Sequence, residues 1–169
     1  MACSGDSILT SNESAASVND NRGTGGTVGQ SFQIPNDATV CGVSINCGEG
    51  SGGGTFKVEL LSGSISGTVL ASTGTLNTSI LLASPSGQYE KFEFVTPVAL
   101  TGGTTYWIKV THLSGGTGNV INYVRTSNVY ADGNWFLNTT SYSQYDIAFR
   151  VHGVEGGGGD VFIPKCSFF

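Results

Sequence analysis

Tyr130-Ala131-Asp132-Gly133-Asn134-Trp135-Phe136 and, further on, Tyr145-Asp146-Ile147-Ala148-Phe149-Arg150-Val151 are the stretches that best indicate the fold of this chain. Asp-Gly tolerates the positive φ angles of a tight hairpin turn, so the first stretch predicts a strand, a turn and a second strand. In the second stretch every other residue from Ile147 to Val151 is apolar, while Asp146 and Arg150 take the opposite phase. Such alternation is typical of a half-buried strand. We therefore expect a β-sandwich whose last strand completes one sheet.

The same period of two recurs along the chain between turns rich in glycine. No segment sustains a helical period, and the regular spacing of turn residues is typical of an antiparallel sandwich. The predicted fold is all-β, an antiparallel β-sandwich or jelly roll of about eight strands with a C-terminal extended arm. The predicted strands are Thr27–Ile34, Thr39–Cys47, Thr55–Leu61, Thr68–Thr73, Tyr89–Val95, Thr104–His112, Val120–Arg125, Asn134–Leu137 and Asp146–His152.

The composition argues against several classes of partner. Charged residues make up 11 % of the chain, glycine supplies 26 positions and the net charge is −5. Without a basic patch to displace counterions from phosphates, we expect no nucleic-acid partner. No stretch approaches the roughly 18 apolar residues of a transmembrane helix, so we expect no membrane partner. The residues after Met1 lack the basic and apolar segments of a secretory signal, which favours a cytoplasmic translation product.

The four cysteines do not suggest a disulfide framework. On a continuous strand Cys41 and Cys47 lie roughly 20 Å apart, far beyond the roughly 4.4–6.8 Å between the Cα atoms of a disulfide. We expect them not to bridge each other and to pack as buried thiols. Cys3 and Cys166 lie near opposite ends and can pair only if the fold brings those ends together. Neither CxxC spacing nor a cysteine–histidine cluster indicates a metal site, so we expect none.

Two terminal segments lie outside the predicted sandwich. We expect an anchoring segment or first strand in 1–27, the β-sandwich domain in 28–154, a glycine-rich linker in 155–160 and an apolar arm in 161–169. The arm must dock, because large apolar side chains left in water reduce solubility. It can dock on a neighbouring subunit or fold back as a final strand of its own. The candidate assembly interface consists of Val161, Phe162, Ile163, Phe168 and Phe169.

Six segments in order resemble one family. In order and spacing, over about residues 28–153, they are similar to the choice-of-anchor R type of β-sandwich domain, which is itself similar to galactose-binding-like jelly rolls. That domain occurs in tailed-phage structural proteins and bacterial surface proteins, so the resemblance implies a particle or cell surface. It brings no established catalytic residue and no activity. The segments are Gly29-Gln30-Ser31-Phe32, Thr55-Phe56-Lys57-Val58-Glu59-Leu60, Ser66-Gly67-Thr68-Val69-Leu70-Ala71-Ser72, Leu100-Thr101-Gly102-Gly103-Thr104-Thr105-Tyr106-Trp107-Ile108, Tyr130-Ala131-Asp132-Gly133 and Asp146-Ile147-Ala148-Phe149-Arg150-Val151.

Residue patterns give no indication of catalysis. His112 and His152 lie at predicted strand ends, and no Gly-x-Ser-x-Gly elbow surrounds a serine. Surface or strand-end histidines are therefore favoured over a hydrolase. We expect no catalytic residue, no metal and no cofactor.

Aromatic and amide side chains late in the chain suggest a ligand site. Sugar recognition combines stacking on apolar sugar faces with directional hydrogen bonds to hydroxyl groups. The alternative is that the rings fill the core and cap hairpins, and this is favoured for Tyr130 and Trp135. The candidate ligand-binding residues are Asn122, Tyr123, Tyr130 and Trp135.

The expected function is that of a non-enzymatic bacteriophage virion protein on the surface of the capsid or tail. We expect a homo-oligomer, with a trimer favoured, that contacts other capsid or tail proteins through its sandwich and terminal arms. Capsid decoration or cement is favoured because the chain is short. The alternative is a carbohydrate-binding or adhesion module of a phage tail tip or bacterial surface, with surface glycans as partners. An enzyme is the least favoured class.

Overall fold

The computed structural model of the chain describes residues 3, 5–13, 18–22, 25–50, 52–82, 88–116, 120–125 and 130–156, with the backbone alone in 18–22 and 120–125. The described residues form fourteen β-strands, a 3₁₀ turn at Thr78–Ile80 and no α-helix. Within them, no helix has the length and apolarity needed to span a membrane. In chain order the strands are β1 (Ser7–Asn12), β2 (Val18–Arg22), β3 (Thr27–Gln33), β4 (Ala38–Glu49), β5 (Thr55–Ser62), β6 (Thr68–Ser72), β7 (Leu76–Asn77), β8 (Gln88–Leu100), β9 (Thr105–Ser114), β10 (Val120–Arg125), β11 (Trp135–Leu137), β12 (Thr140–Tyr142), β13 (Asp146–Ile147) and β14 (Phe149–Glu155).

Two antiparallel sheets of seven strands pack against each other, which confirms the predicted all-β sandwich. In the first sheet β1, β14, β4 and β8 lie side by side. Strand β10 pairs with the last residues of β4, past the part of β4 that pairs with β14. Strands β2 and β13 both pair with β10. The second sheet has the order β12–β11–β3–β9–β5–β6, and β7 also pairs with β5. The N-terminal segment thus contributes two strands to the first sheet.

The core follows from the period-two alternation of the sequence. Side chains of one phase from both sheets meet between the layers, since successive residues of a strand point to opposite faces. Phe32 of β3 contacts Tyr106 of β9 and Phe149 of β14, with ring centroids 6.2 and 6.1 Å apart. Further along, Phe56 of β5 meets Phe92 of β8 edge to face at 5.6 Å. This packing agrees with the period-two alternation predicted for these strands.

The predicted hairpin at Asp132-Gly133 is wrong. These residues lie in a turn region, but neither Tyr130 nor Ala131 belongs to a strand, and Gly133 does not have a positive φ. Glycine is required there for space, because a Cβ would collide with the carbonyl oxygen of Ser31. The actual hairpin joins β11 to β12 through the residues after Leu137, where Asn138 adopts φ 53°.

The predicted closing strand Asp146–His152 is split in two. Ala148 interrupts it, with its carbonyl accepting from the N–H of Asn46 at 2.9 Å. The first piece, β13, pairs with β10, and the second, β14, lies between β1 and β4. Asp146 does not face solvent as its phase predicts, because its side chain is 0 % exposed.

A β-bulge at Cys41 changes the expected cysteine chemistry. Val40 pairs with Gly153 and Gly42 with His152, so Cys41 is an extra residue in β4. The extra residue shifts the alternation, so Val40 and Val43 both enter the core cluster and Cys41 does not. A disulfide joins Cys41 to Cys3, with Cα atoms 5.9 Å apart. The prediction of a buried Cys41 thiol is therefore wrong, and Cys3 has Cys41 as its partner.

Cys47 and His112 are both buried. The prediction for Cys47 is confirmed, since it is a free thiol in the core, and burial raises its pKa well above the usual range. The sequence predicts His112 at the surface or at a strand end. It lies near the end of β9, where it is buried rather than exposed.

Candidate functional site

Tyr130 lies at one end of the sandwich and connects the two sheets. Its phenol oxygen accepts from the N–H of Gln33 at 3.2 Å and donates to the carbonyl of Gln33 at 3.2 Å. It also lies 3.3 Å from the hydroxyl of Thr10 on β1, while the ring meets Phe149 edge to face at 5.1 Å. Burial raises the pKa of the phenol. Tyr130 belongs to the core, so its ring offers no open face on which a sugar could stack.

A buried polar network lies directly beneath Tyr130. One carboxylate oxygen of Asp146 accepts from the side-chain amide of Gln30 at 3.1 Å, and the other accepts from the N–H of Tyr130 at 3.0 Å. The amide oxygen of Gln30 in turn accepts from the N–H of Ile147 at 2.9 Å. Because Gln30 is on β3 and Asp146 on β13, the network joins the two sheets and holds the connection that precedes β11. The sequence pattern does not reveal this pair, because Gln30 is a polar residue on the inward phase of β3 and Asp146 is on the phase opposite to the apolar residues of its stretch.

Trp135 lies at the centre of an aromatic cluster. Its ring centroid is 5.0 Å from that of Tyr142 and 5.5 Å from that of Tyr145, and the two tyrosines are 6.0 Å apart. Trp135 is buried in the core, whereas Tyr142 and Tyr145 are partly exposed. The alternative interpretation of Tyr130 and Trp135 as core aromatics is thus confirmed.

A cavity of about 310 Å³ opens beside Tyr130. It lies where β1, the end of β3, the turn between β8 and β9, and the connection before β11 meet. Apolar and polar side chains share its lining, and one of them, Asp132, is a carboxylate. The lining residues are Leu9, Thr10, Gln33, Ile34, Pro35, Gly103 and Asp132.

A serine and a histidine meet on the outer face of the first sheet. Nε2 of His152 on β14 lies 2.7 Å from the hydroxyl oxygen of Ser44 on β4. Serine hydrolases also need a carboxylate that orients the imidazole. Among the described residues no carboxylate hydrogen-bonds to His152, and the nearby Asp6 contacts Lys91 at 2.7 Å. We interpret the Ser44–His152 contact as a cross-strand hydrogen bond.

Ion pairs surround this contact. Arg150 donates to both carboxylate oxygens of Glu13 at 3.0 and 2.9 Å, and its guanidinium lies 4.1 Å from the ring centroid of Tyr89. Hydrogen bonds from Lys91 and Arg150 lower the pKa of Asp6 and of Glu13, respectively. Positive and negative side chains alternate on this face, so it does not form a field of one sign. In the described ranges no group of three or more metal-ligating side chains occurs.

His152 is expected to make the fold sensitive to mild acid. Burial, and next the charge of Lys91, lower its pKa below 6.5, with Arg150 acting in the same sense and Asp6 opposing. The unfolded chain then binds the proton more tightly, so stability falls as the pH drops below about 6.5. His152→Gln can keep a hydrogen bond to Ser44 and removes this titration. We expect its melting temperature to fall less than that of the wild type between about pH 7 and 5.5.

Thermal unfolding followed by circular dichroism at several pH values measures this difference. Protonation of Asp6 and Glu13 contributes only at lower pH, because their pKa values lie below the ordinary carboxyl range. Equal slopes for the wild type and His152→Gln above about pH 5 would contradict the prediction.

The remaining candidate residues are only partly placed. Asn122 and Tyr123 lie on β10, where the backbone of Asn122 pairs with Cys47 and that of Tyr123 with Asn19. Their side chains lie outside the described part of the chain. So do all residues of the predicted arm, Val161, Phe162, Ile163, Phe168 and Phe169.

Comparisons with known proteins bring no relative to this site. No protein family matches the chain, and no curated protein matches it. The resemblance to the choice-of-anchor R domain therefore remains a prediction.

Proposed function

We propose that this protein is a non-enzymatic structural protein of a bacteriophage virion surface, serving as capsid decoration, cement or tail-surface protein. In this proposal it assembles as a homo-oligomer, with a trimer favoured, and contacts other capsid or tail proteins. The resemblance of the sequence supplies the virion setting. The observation that carries the assembly role is an exposed apolar flank of the sandwich.

The β6–β8 flank consists of the two edge strands β6 and β8 and of residues 73–82, the described part of the connection between them. Each of these strands ends its sheet, and they lie next to each other across the gap between the layers. Val95 on β8 is 68 % exposed and Val69 on β6 is 47 % exposed. Ile80 and Leu82 of the connection are also exposed. Exposed apolar side chains on unpaired strands favour association with another chain.

The irregular course of β8 favours side-chain contacts over strand addition at the flank. Between the pairs Gly42–Glu93 and Val40–Val98, β8 has four residues opposite the single residue Cys41. This bulge contains Pro97, and a bulge with proline is a common protection of an edge strand. It turns the side chain of Val95 into solvent, where a partner can cover it.

The Cys3–Cys41 disulfide supports a setting outside the cytosol. Disulfides persist in oxidising environments such as the surfaces of virions and cells, whereas the cytosol keeps thiols reduced. A particle surface meets this requirement.

A carbohydrate-binding or adhesion module is the second candidate. Two of the residues expected to bind carbohydrate, Tyr130 and Trp135, are buried and therefore give this role little support. An adhesion role would need another site.

Charge on the flank is expected to disrupt assembly. The double variant Val69→Asp/Val95→Asp places two carboxylates in the proposed contact, and burying unpaired charges is costly. We expect the dissociation constant of the oligomer to rise about a hundredfold, while the fold is kept because both side chains are exposed. Light scattering and analytical ultracentrifugation measure the mass.

Leu113→Asp is the matched control, since Leu113 on β9 is 37 % exposed and lies on the second sheet away from its edges. Deleting 160–169 tests the arm in the same assays, and we expect a folded sandwich that fails to oligomerise or to attach to its particle. If the double variant and the truncation both keep the mass and the particle attachment of the wild type, the assembly role is wrong.

A further inference from the structure

The β6–β8 flank concentrates the exposed apolar side chains of the sandwich. Among the described residues seven large apolar side chains are exposed. Four of these seven lie on this flank, so the exposure is clustered, whereas apolar residues scattered singly over a surface need no partner. In the described part of the chain neither β6 nor β8 has a strand on its outer side. The four residues are Val69, Ile80, Leu82 and Val95.

The last described residues lie close to this flank. The N–H of Gly156 donates to the carbonyl of Asp37 at 2.8 Å, just before β4 begins. Ala38, the first residue of β4, pairs with Glu155 on one side and with Leu100 of β8 on the other. Adjacent strands are roughly 4.8 Å apart, so the end of β14 is roughly 10 Å from β8. The rest of the chain therefore begins two strand positions from the free edge of β8.

The sequence that follows Gly156 has the length and the composition to bind a neighbouring subunit. Thirteen residues follow Gly156, and an extended chain of that length spans at most roughly 45 Å. Five of the nine residues of the apolar arm, 161–169, are large and apolar, and three of these five are phenylalanines. Aromatic side chains are enriched in the buried centre of protein interfaces. The arm is thus chemically suited to an exposed apolar surface.

The favoured trimer needs two different contact surfaces on each subunit. A flank that binds another flank makes an isologous contact, which closes as a dimer about a two-fold axis. A trimer needs a heterologous contact, in which one surface of each subunit meets a different surface of the next. The arm and the flank are formed by different parts of the chain and are both apolar, so they provide such a pair. This step rests on the proposed function, because the trimer is part of it.

We infer that the apolar arm of one subunit binds the β6–β8 flank of a second copy of this chain. The arm packs through its side chains, because the bulge of β8 that contains Pro97 does not offer a regular ladder for strand addition. Contact removes the apolar surface of both partners from water, which is the main driving force of such association. Repeated three times, it closes a ring in which each subunit gives one arm and receives one.

Mixing two full-length variants tests this inference. Val69→Asp/Val95→Asp keeps the arm but loses the flank, and Phe162→Asp/Phe168→Asp keeps the flank but loses the arm. Both carry Cys166→Ser, so that no disulfide between arms can imitate the contact. At about 100 µM each variant alone is expected to be monomeric, whereas an equimolar mixture forms a one-to-one heterodimer and nothing larger. Native mass spectrometry with one variant labelled with ¹⁵N identifies the pair.

Analytical ultracentrifugation measures its strength. We expect the dissociation constant of the mixed pair to be at least about a hundredfold lower than that of either variant for itself. Leu113→Asp is the matched control, because it adds a carboxylate at an exposed apolar position away from the flank and should form the wild-type oligomer on its own. Circular dichroism checks that each variant is folded. Ile80→Asp/Leu82→Asp is a second flank variant that replaces the first if that one is unfolded.

The results separate this inference from the proposed function. The inference is overturned if the wild type is an oligomer but the mixture stays monomeric or forms larger species. It is also overturned if Phe162→Asp/Phe168→Asp alone keeps the mass of the wild type. In both cases the proposed assembly role stands, with a different contact. A monomeric wild type contradicts the proposed assembly itself, and this inference with it.

Discussion

Asp146→Ala is expected to destabilise the fold by about 3–5 kcal/mol. The substitution removes both acceptors of two buried donors, the side-chain amide of Gln30 and the N–H of Tyr130. A buried donor left unpaired costs about 1–3 kcal/mol, and more where its partner was charged. The same change removes one of two links between the sheets, since the bond from Gln30 to Asp146 is lost while Gln30 still accepts from the N–H of Ile147. Urea denaturation followed by tryptophan fluorescence measures the loss.

Asp146→Asn measures how much stability depends on the hydrogen bonds of Asp146, because it leaves the side-chain volume almost unchanged. Both oxygens of Asp146 accept from N–H donors, so an amide group at this position must turn its NH₂ towards one of them. We expect a loss of about 1.5–3 kcal/mol for a side chain of almost unchanged size. Asp132→Asn is the control, since Asp132 is exposed in the same connection and should change stability by less than about 0.5 kcal/mol. A shift for Asp146→Asn as small as that of the control would show that the network contributes little.

The regular strands could be predicted because their alternation is local. From Thr55 to Leu60 apolar and polar residues alternate, which is the pattern of a strand with one inward and one outward face. Strand β5 accordingly has nearly the predicted bounds. The bulge at Cys41 has no such signal. Val40, Cys41 and Val43 are all apolar or small, so the sequence is compatible with either phase, and the pairing of β4 with β8 and β14 decides between them.

The site was beyond local patterns for two reasons. Asp146 is polar at a buried position, and its partners there include Gln30, which lies 116 residues earlier, and the N–H of Tyr130. The cavity is lined from β1, β3, the turn at Gly103 and Asp132, four segments that only the topology of the two sheets brings together. The sequence did indicate the right part of the chain, since Tyr130 and Trp135 lie on either side of the turn that borders both the Asp146–Gln30 network and the cavity.

We expect Cys3→Ser to lower the free energy of unfolding by about 2–4 kcal/mol. The disulfide closes a loop with a sequence separation of 38 residues, which restricts the unfolded chain. In the folded protein it attaches Cys3, which precedes β1 in the chain, to the bulge of β4. Strand β1 covers the outer edge of β14, so loss of the link should also loosen that edge. Just before β1, Asp6 also forms an ion pair with Lys91 of β8, which is worth little at an exposed position.

Reducing agent provides the matched measurement for this prediction. The urea midpoint of the wild type should fall on reduction to that of Cys3→Ser, while the midpoint of Cys3→Ser itself should not respond. Cys41→Ser should behave like Cys3→Ser, and the double variant should be no less stable than either, because one bond is lost in all three.

Cys47 should resist alkylation until the protein unfolds, since its buried thiol has a raised pKa. Mass mapping of the native protein completes the test, because a bridge from Cys3 to Cys166, or a wild type indifferent to reductant, would contradict the Cys3–Cys41 pairing. With that pairing, a reducing environment such as the cytosol would remove the stabilisation that the disulfide provides.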